Sequence, residues 1–208
     1  MKRVISIAML AFASLVLAAS AQAAPSTTLA GEHLTASGPG IAGACPTAGT
    51  TVSGTASGPY PGTFTETFSF AFLHEIGFGA WGAPGTLTAS FEIVSGSTTV
   101  TGTKTATDVS GICSVGATQY PSTIFSGQAQ GPYDATITAS QGVVSDRGSA
   151  VTDLQDLFAS PTSITFVLTE TFASAPSTSD QCKKGGWRNF PQFSNQGRCV
   201  RFVQTGKL

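Results

Sequence analysis

Charge is scarce in this chain of 208 residues: ten Lys and Arg stand against eleven Asp and Glu, and His33 and His74 are the only histidines. With two imidazoles and no C-x-x-C pair, the sequence offers no basis for a zinc site, and no metal or other cofactor is expected. No G-x-S-x-G elbow presents a serine nucleophile, and the glycines form neither a G-x-G-x-x-G between strand and helix nor a P-loop. Helical periodicity is also missing. Its nearest approach is DLQDLF at Asp153 to Phe158, expected to form no more than one turn of helix, and a parallel α/β architecture is therefore disfavoured.

What is present begins with an export signal. Lys2 and Arg3 precede an apolar stretch from Val4 to Ala18, and Ala21-Gln22-Ala23 supplies the small-x-small pattern of a cleavage site between Ala23 and Ala24. No lipobox precedes Cys45 and no apolar tail ends the chain, so neither a lipid anchor nor a membrane span is expected after signal removal. The remaining 185 residues, 24 to 208, are expected outside the cytoplasm, secreted or associated with the cell envelope. Four cysteines in an exported chain read as two disulfides, for which three connectivities exist. Proximity favours Cys182 with Cys199, leaving Cys45 with Cys113.

Charge divides the chain. Residues 24–176 hold two basic and ten acidic side chains, a net of −8, whereas residues 177–208 hold six basic and one acidic, a net of +5. An acidic domain followed by a basic cysteine-containing tail is the expected layout. The tail either docks on the acidic face of its own domain or meets an external polyanion, with an anionic cell-envelope polymer as the expected partner and no specific nucleic acid.

The acidic segment alternates apolar and polar residues. GTFTETFSFAFL (62–73), TLTASFEIV (86–94), TTVTGTKTAT (98–107), YDATITA (133–139) and SITFVLTETF (163–172) read as strands, with weaker candidates at 50–57 and 122–130. Turn-prone GPYPGT, GAPG, SGS and QGPY separate them. Roughly eight antiparallel strands in a sandwich or small barrel are expected.

Three groups of residues in that domain could carry chemistry. Glu66 aligns with Phe64, Phe68 and Phe70, and Glu170 with Phe166, Leu168 and Phe172, so each carboxyl shares a strand face with apolar side chains. Two carboxyls in one cleft could divide acid and base roles in glycoside hydrolysis; strand glutamates are more often rim or paired residues. His74, beside Glu75 and ahead of a glycine-rich stretch, could act as a base but has no assignable nucleophile. Thr99, Thr101, Thr103, Thr105 and Thr107 form a row that could match an ordered polysaccharide or ice surface, a solvated sheet face being the simpler reading.

The tail, CKKGGWRNFPQFSNQGRC from Cys182 to Cys199, gathers the means to hold a small shape. A disulfide would close it, Gly185-Gly186 permits a tight bend, and Trp187, Phe190, Phe193 and Phe202 can form an apolar cluster. Arg188, Arg198 and Arg201, with Trp187 and Phe190, are the candidate binding residues, suited to carboxylate or phosphate. DQCKKGGWRNFPQFSNQGRCVRFVQTGK resembles a C-terminal segment of secreted, actinobacterial-type proteins without known activity, and SGPYPGTFTETF and FEIVSGSTTVTGTKT are similar to the domains that precede it. Arg198 replaces an acidic residue expected in that pattern. The resemblance implies export and a β-rich body, and no reaction. The leading expectation is a non-catalytic β-domain with an interaction tail; its rivals are a carbohydrate-active hydrolase using Glu66 and Glu170, and a small-molecule carrier if a barrel is hollow.

Overall fold

A computed structural model describes residues 26–39, 47–77, 80–114, 124–160, 163–190 and 192–205; for 39, 47–48, 72–77, 80–84, 108, 111–114, 124–126, 156–160 and 163–165 it describes the backbone course alone. The segment expected to be an export signal, with Ala23 and Ala24, and Cys45 lie outside these residues. Eight strands follow in order: β1 (His33–Pro39), β2 (Thr47–Ser57), β3 (Gly62–Gly77), β4 (Ala80–Ser95), β5 (Thr98–Ser114), β6 (Ile124–Ala139), β7 (Gly142–Ser160) and β8 (Ser163–Ser174). Each pairs antiparallel with the next, and β1 closes on β8 from His33 opposite Thr171 to Pro39 opposite Thr165. The expectation of a sandwich or small barrel resolves to a closed barrel, which leaves no sheet edge exposed.

The strands are longer than alternation suggested. From Ile124 on, the candidates at 122–130 and 133–139 are one strand, β6, continuous through Gly131 and Pro132. DLQDLF is not a turn of helix: it lies within β7, paired with β8 from Asp153 opposite Thr169 to Phe158 opposite Ile164. Its helical spacing of leucines is outweighed by pairing along both sides of the strand. Inward positions are apolar, with Phe64, Phe68, Phe70, Phe91, Ile93, Tyr133, Leu154, Leu168 and Phe172 at most 3 % exposed, so the described lumen is filled by side chains. Outward positions carry Thr and Ser, and cross-strand hydroxyls bond at 2.9 Å between Thr35 and Thr55 and between Thr51 and Thr67. That polarity is the reverse of a lipid-facing barrel, whose outer wall is apolar.

One end is plugged by residues 26–32. The Gly31 N–H donates to the Phe172 carbonyl at 2.9 Å, the Leu29 N–H donates to Asp146 Oδ2 at 2.7 Å, and Leu29 and Glu32 are fully buried. The tail leaves from this same end. It forms α1 (Ser179–Cys182), a 3-10 turn (Gly186–Asn189) and α2 (Gln196–Thr205). Lys184 and Gly185 turn the chain at positive φ, +51° and +85°, the second a conformation that glycine adopts without strain. Asn195 caps α2, its Oδ1 accepting the Arg198 N–H at 2.9 Å. Cys182 bonds Cys199, and the pair packs with Phe190, Phe193 and Phe202 in a core separate from that of the barrel, with Trp187 half-buried against it.

Candidate functional site

Alternation aims Glu66 on β3, Lys104 on β5, and Thr152 and Glu170 on β7 and β8 into the lumen, where all four are at most 3 % exposed. Thr152 and Glu170 are direct cross-strand partners, whereas Lys104 reaches across from the opposite wall. Its Nζ lies 2.8 and 2.9 Å from the two oxygens of Glu66 and also bonds Glu170 Oε1. Glu170 Oε1 further accepts the Thr152 hydroxyl at 2.6 Å, while its Oε2 is buried without a hydrogen-bond partner. The rings of Phe91 and Phe172 flank the ammonium, their centroids 5.6 and 5.8 Å from Nζ. Phe91 itself lies against Gly102, where a Cβ would stand 2.4 Å from the ring.

Two carboxyls and one ammonium in an apolar enclosure cannot all be ionised without leaving a net buried charge, which costs several kcal/mol. Glu66 resolves this. Burial, opposed by Lys104 and reinforced by Glu170, pushes its pKa from 4.5 up to about 8, so at neutral pH it carries a proton and adds no charge to the lumen. The same neighbours outweigh burial at Lys104, whose pKa is raised. A third buried carboxyl, Glu32, accepts the Tyr60 N–H at 2.8 Å, and its pKa too is raised by burial. Near it the Tyr133 hydroxyl donates to Asp146 at 2.7 Å; burial and that carboxylate raise the phenol's pKa.

The structure thus brings Glu66 and Glu170 together, on the apolar faces where alternation put them. It does not leave them open to a substrate: neither a wet rim nor a cleft surrounds them. Lys104 was missed as a site residue, although it is one of only two basic residues between 24 and 176 and shares strand parity with Val100 and Ala106. His74 sits within β3 opposite Gly82, away in register from Glu66, and only its backbone is described. Of the threonine row, Thr101, Thr103, Thr105 and Thr107 are exposed and Thr99 is half-buried. For Cys113, opposite Trp81 in β5, the structure describes the backbone alone, so the Cys45 pairing falls outside the described residues.

A second candidate region is the cleft of about 1360 Å³ between the tail and the outer wall of β5 to β7. Arg198, Arg201 and Phe193 border it on one side, Thr103, Thr105 and Ser145 on the other. Arg188, outside the cleft, lies over the Trp187 ring at 5.1 Å from its centroid. Among the described residues, Arg188, Arg198 and Arg201 form no ion pair; the tail's one salt bridge joins Lys183 and Asp180 at 2.7 Å.

Fold and site together define a closed eight-stranded antiparallel barrel with an ion cluster in its lumen and a disulfide-bonded helical tail. No family model, curated protein or solved structure matches the chain.

Proposed function

We propose that this is an exported, non-catalytic β-barrel protein whose basic tail binds an anionic polymer of the cell envelope. The observation that carries this reading is the set of exposed tail arginines, Arg188, Arg198 and Arg201, none of which pairs with a carboxylate among the described residues. Docking on the barrel's own acidic groups is the competing assignment, yet the carboxylates bordering the cleft are engaged elsewhere. Asp134 pairs with Arg147, and Asp146 takes the Tyr133 hydroxyl and the Leu29 N–H. The arginines are therefore available to a ligand, and the hydroxyl wall opposite Arg198 and Arg201 suits a polar chain. Hydrolysis by Glu66 and Glu170 has little support, because both carboxyls are sealed and held by Lys104.

Binding to isolated envelopes tests the proposal, comparing residues 24–208 with residues 24–176 at low and moderate salt. The longer chain should bind and release as the Debye length shrinks from roughly 30 to 10 Å, and an Arg188, Arg198 and Arg201 triple alanine variant should behave like the short one. Equal binding by both lengths would remove the tail from the interaction. A large loss of barrel stability on truncation would make it an intramolecular clasp instead.

A further inference from the structure

We propose that the lumen is an autocatalytic cross-linking site, in which Lys104 Nζ and the side-chain carbonyl carbon of Glu170 join in an amide bond across the barrel. Three features converge on it. The amine and the carboxyl are held in contact by strands on opposite walls, Nζ bonding Glu170 Oε1, with both side chains at most 2 % exposed. A third group, Glu66, reaches the same nitrogen at 2.8 Å and is the proton carrier such a condensation needs. One carboxyl oxygen, Glu170 Oε2, has no partner and is the atom that would leave.

The step balances without any other reactant. Glu66 passes its proton to Glu170 Oε2 and is reprotonated by the ammonium of Lys104, giving an amine and a neutral acid. The nitrogen lone pair then forms the Nζ–Cδ bond, and Glu66 takes a second proton from nitrogen as it delivers its own to Oε2. The Cδ–Oε2 bond breaks, its electron pair leaving with the oxygen as water, and Glu66 ends protonated as it began. The Thr152 hydroxyl, 2.6 Å from Oε1, stabilises negative charge developing on that oxygen during attack and stays bonded to it in the amide. The raised pKa of Glu66, about 8, keeps the required proton on it at neutral pH.

The surroundings favour the product. In water an ammonium and a carboxylate are well solvated, but enclosed beside Phe91 and Phe172 they remain costly even when paired. The amide is neutral, and its formation deletes Glu170 Oε2, a buried oxygen that lacks a hydrogen bond. Its N–H faces Glu66, which accepts it. Held reactants of this kind reach effective concentrations of about 10⁵ M or more, so no external activation is needed once the fold forms.

Mass spectrometry of the intact, fully reduced chain tests this directly. The wild type should be one water lighter than its sequence, trypsin should fail to cut after Lys104, and a joined peptide pair carrying Lys104 and Glu170 should be recovered. Glu66→Gln, which retains the shape of the side chain but not its proton exchange, should show full mass with circular dichroism unchanged. A wild-type chain of full mass, cut normally after Lys104, overturns the proposal without reference to any variant. A bond that forms undiminished in Glu66→Gln overturns the role given to Glu66. Neither result depends on whether the tail binds an envelope polymer.

Discussion

Lys104→Met removes the lumen's one cation while nearly preserving the volume of its chain. The two carboxyls it holds, Glu66 and Glu170, are both buried, and no other basic group bonds them among the described residues. Removing one partner of a buried ion pair costs about 3–5 kcal/mol, because the charge left behind is desolvated without compensation. Methionine packs well between Phe91 and Phe172 and recovers some apolar contact, so the loss should fall within that range and not above it. For a chain of this size, with about 2–4 °C per kcal/mol, the midpoint of thermal unfolding should drop by about 6–20 °C. Where the amide has formed, loss of a cross-link between residues 104 and 170 adds about 4 kcal/mol in the chain-entropy account. Thermal and urea unfolding followed by circular dichroism at pH 7 measures it. The reasoning also fixes the rescue: Lys104→Met combined with Glu66→Gln and Glu170→Gln leaves no charge in the lumen and should regain most of the ionic part of the loss. A single variant within about 1 kcal/mol of wild type would refute the electrostatic account, and a triple variant less stable than the single one would refute its cause.

The other predictions concern pH, the tail and packing. Glu66 keeps a proton in the folded state up to about pH 8 that the unfolded chain releases near 4.5; stability should therefore fall as pH rises through that window, by up to about 5 kcal/mol at about 1.4 kcal/mol per unit. Glu66→Gln should flatten this slope in a series of urea titrations, and an unchanged slope would dissociate it from Glu66. Replacing Cys182 and Cys199 by serine opens a loop whose closure contributes roughly 3 kcal/mol, so limited proteolysis should cut the tail quickly while the barrel persists. Tail resistance equal to wild type would show that the aromatic cluster suffices. At Gly131 a Cβ would stand 1.9 Å from the Thr105 carbonyl oxygen, and Gly131→Ala should cost at least about 2 kcal/mol in denaturant unfolding, a neutral result meaning that β5 and β6 can separate there.

Much of the architecture was legible because a strand announces itself locally. In GTFTETFSF the phenylalanines and Glu66 fall on one parity and the threonines on the other, and the barrel buries the first set and exposes the second. The basic tail was legible too, since cysteine spacing and clustered aromatics are properties of a short segment. Its two helices were less so, because α1 is four residues long and α2 draws its burial from the disulfide-bonded core rather than from a strong repeat. β7 was misread for a related reason: over DLQDLF, leucines at a spacing of three mimic a helix, and the pairing with β6 and β8 that overrules them involves residues outside the segment itself.

Parity by itself determined that Glu66 and Glu170 would each face apolar neighbours, and the same rule applied to VTGTK would have turned Lys104 inward as well. That these three meet is a tertiary fact. It requires β1 to close on β8 and the strands to be staggered so that one level of the lumen collects residues from β3, β5, β7 and β8. Side-chain alternation is dictated at each residue by the pleat, whereas stagger and closure arise from the whole circuit of strand pairs, in which a shift of one residue anywhere would separate the charges. Only the closed barrel decides that Lys104 neutralises a glutamate, that Glu66 holds a proton, and that two carboxyls resembling a catalytic pair in sequence are sealed from substrate.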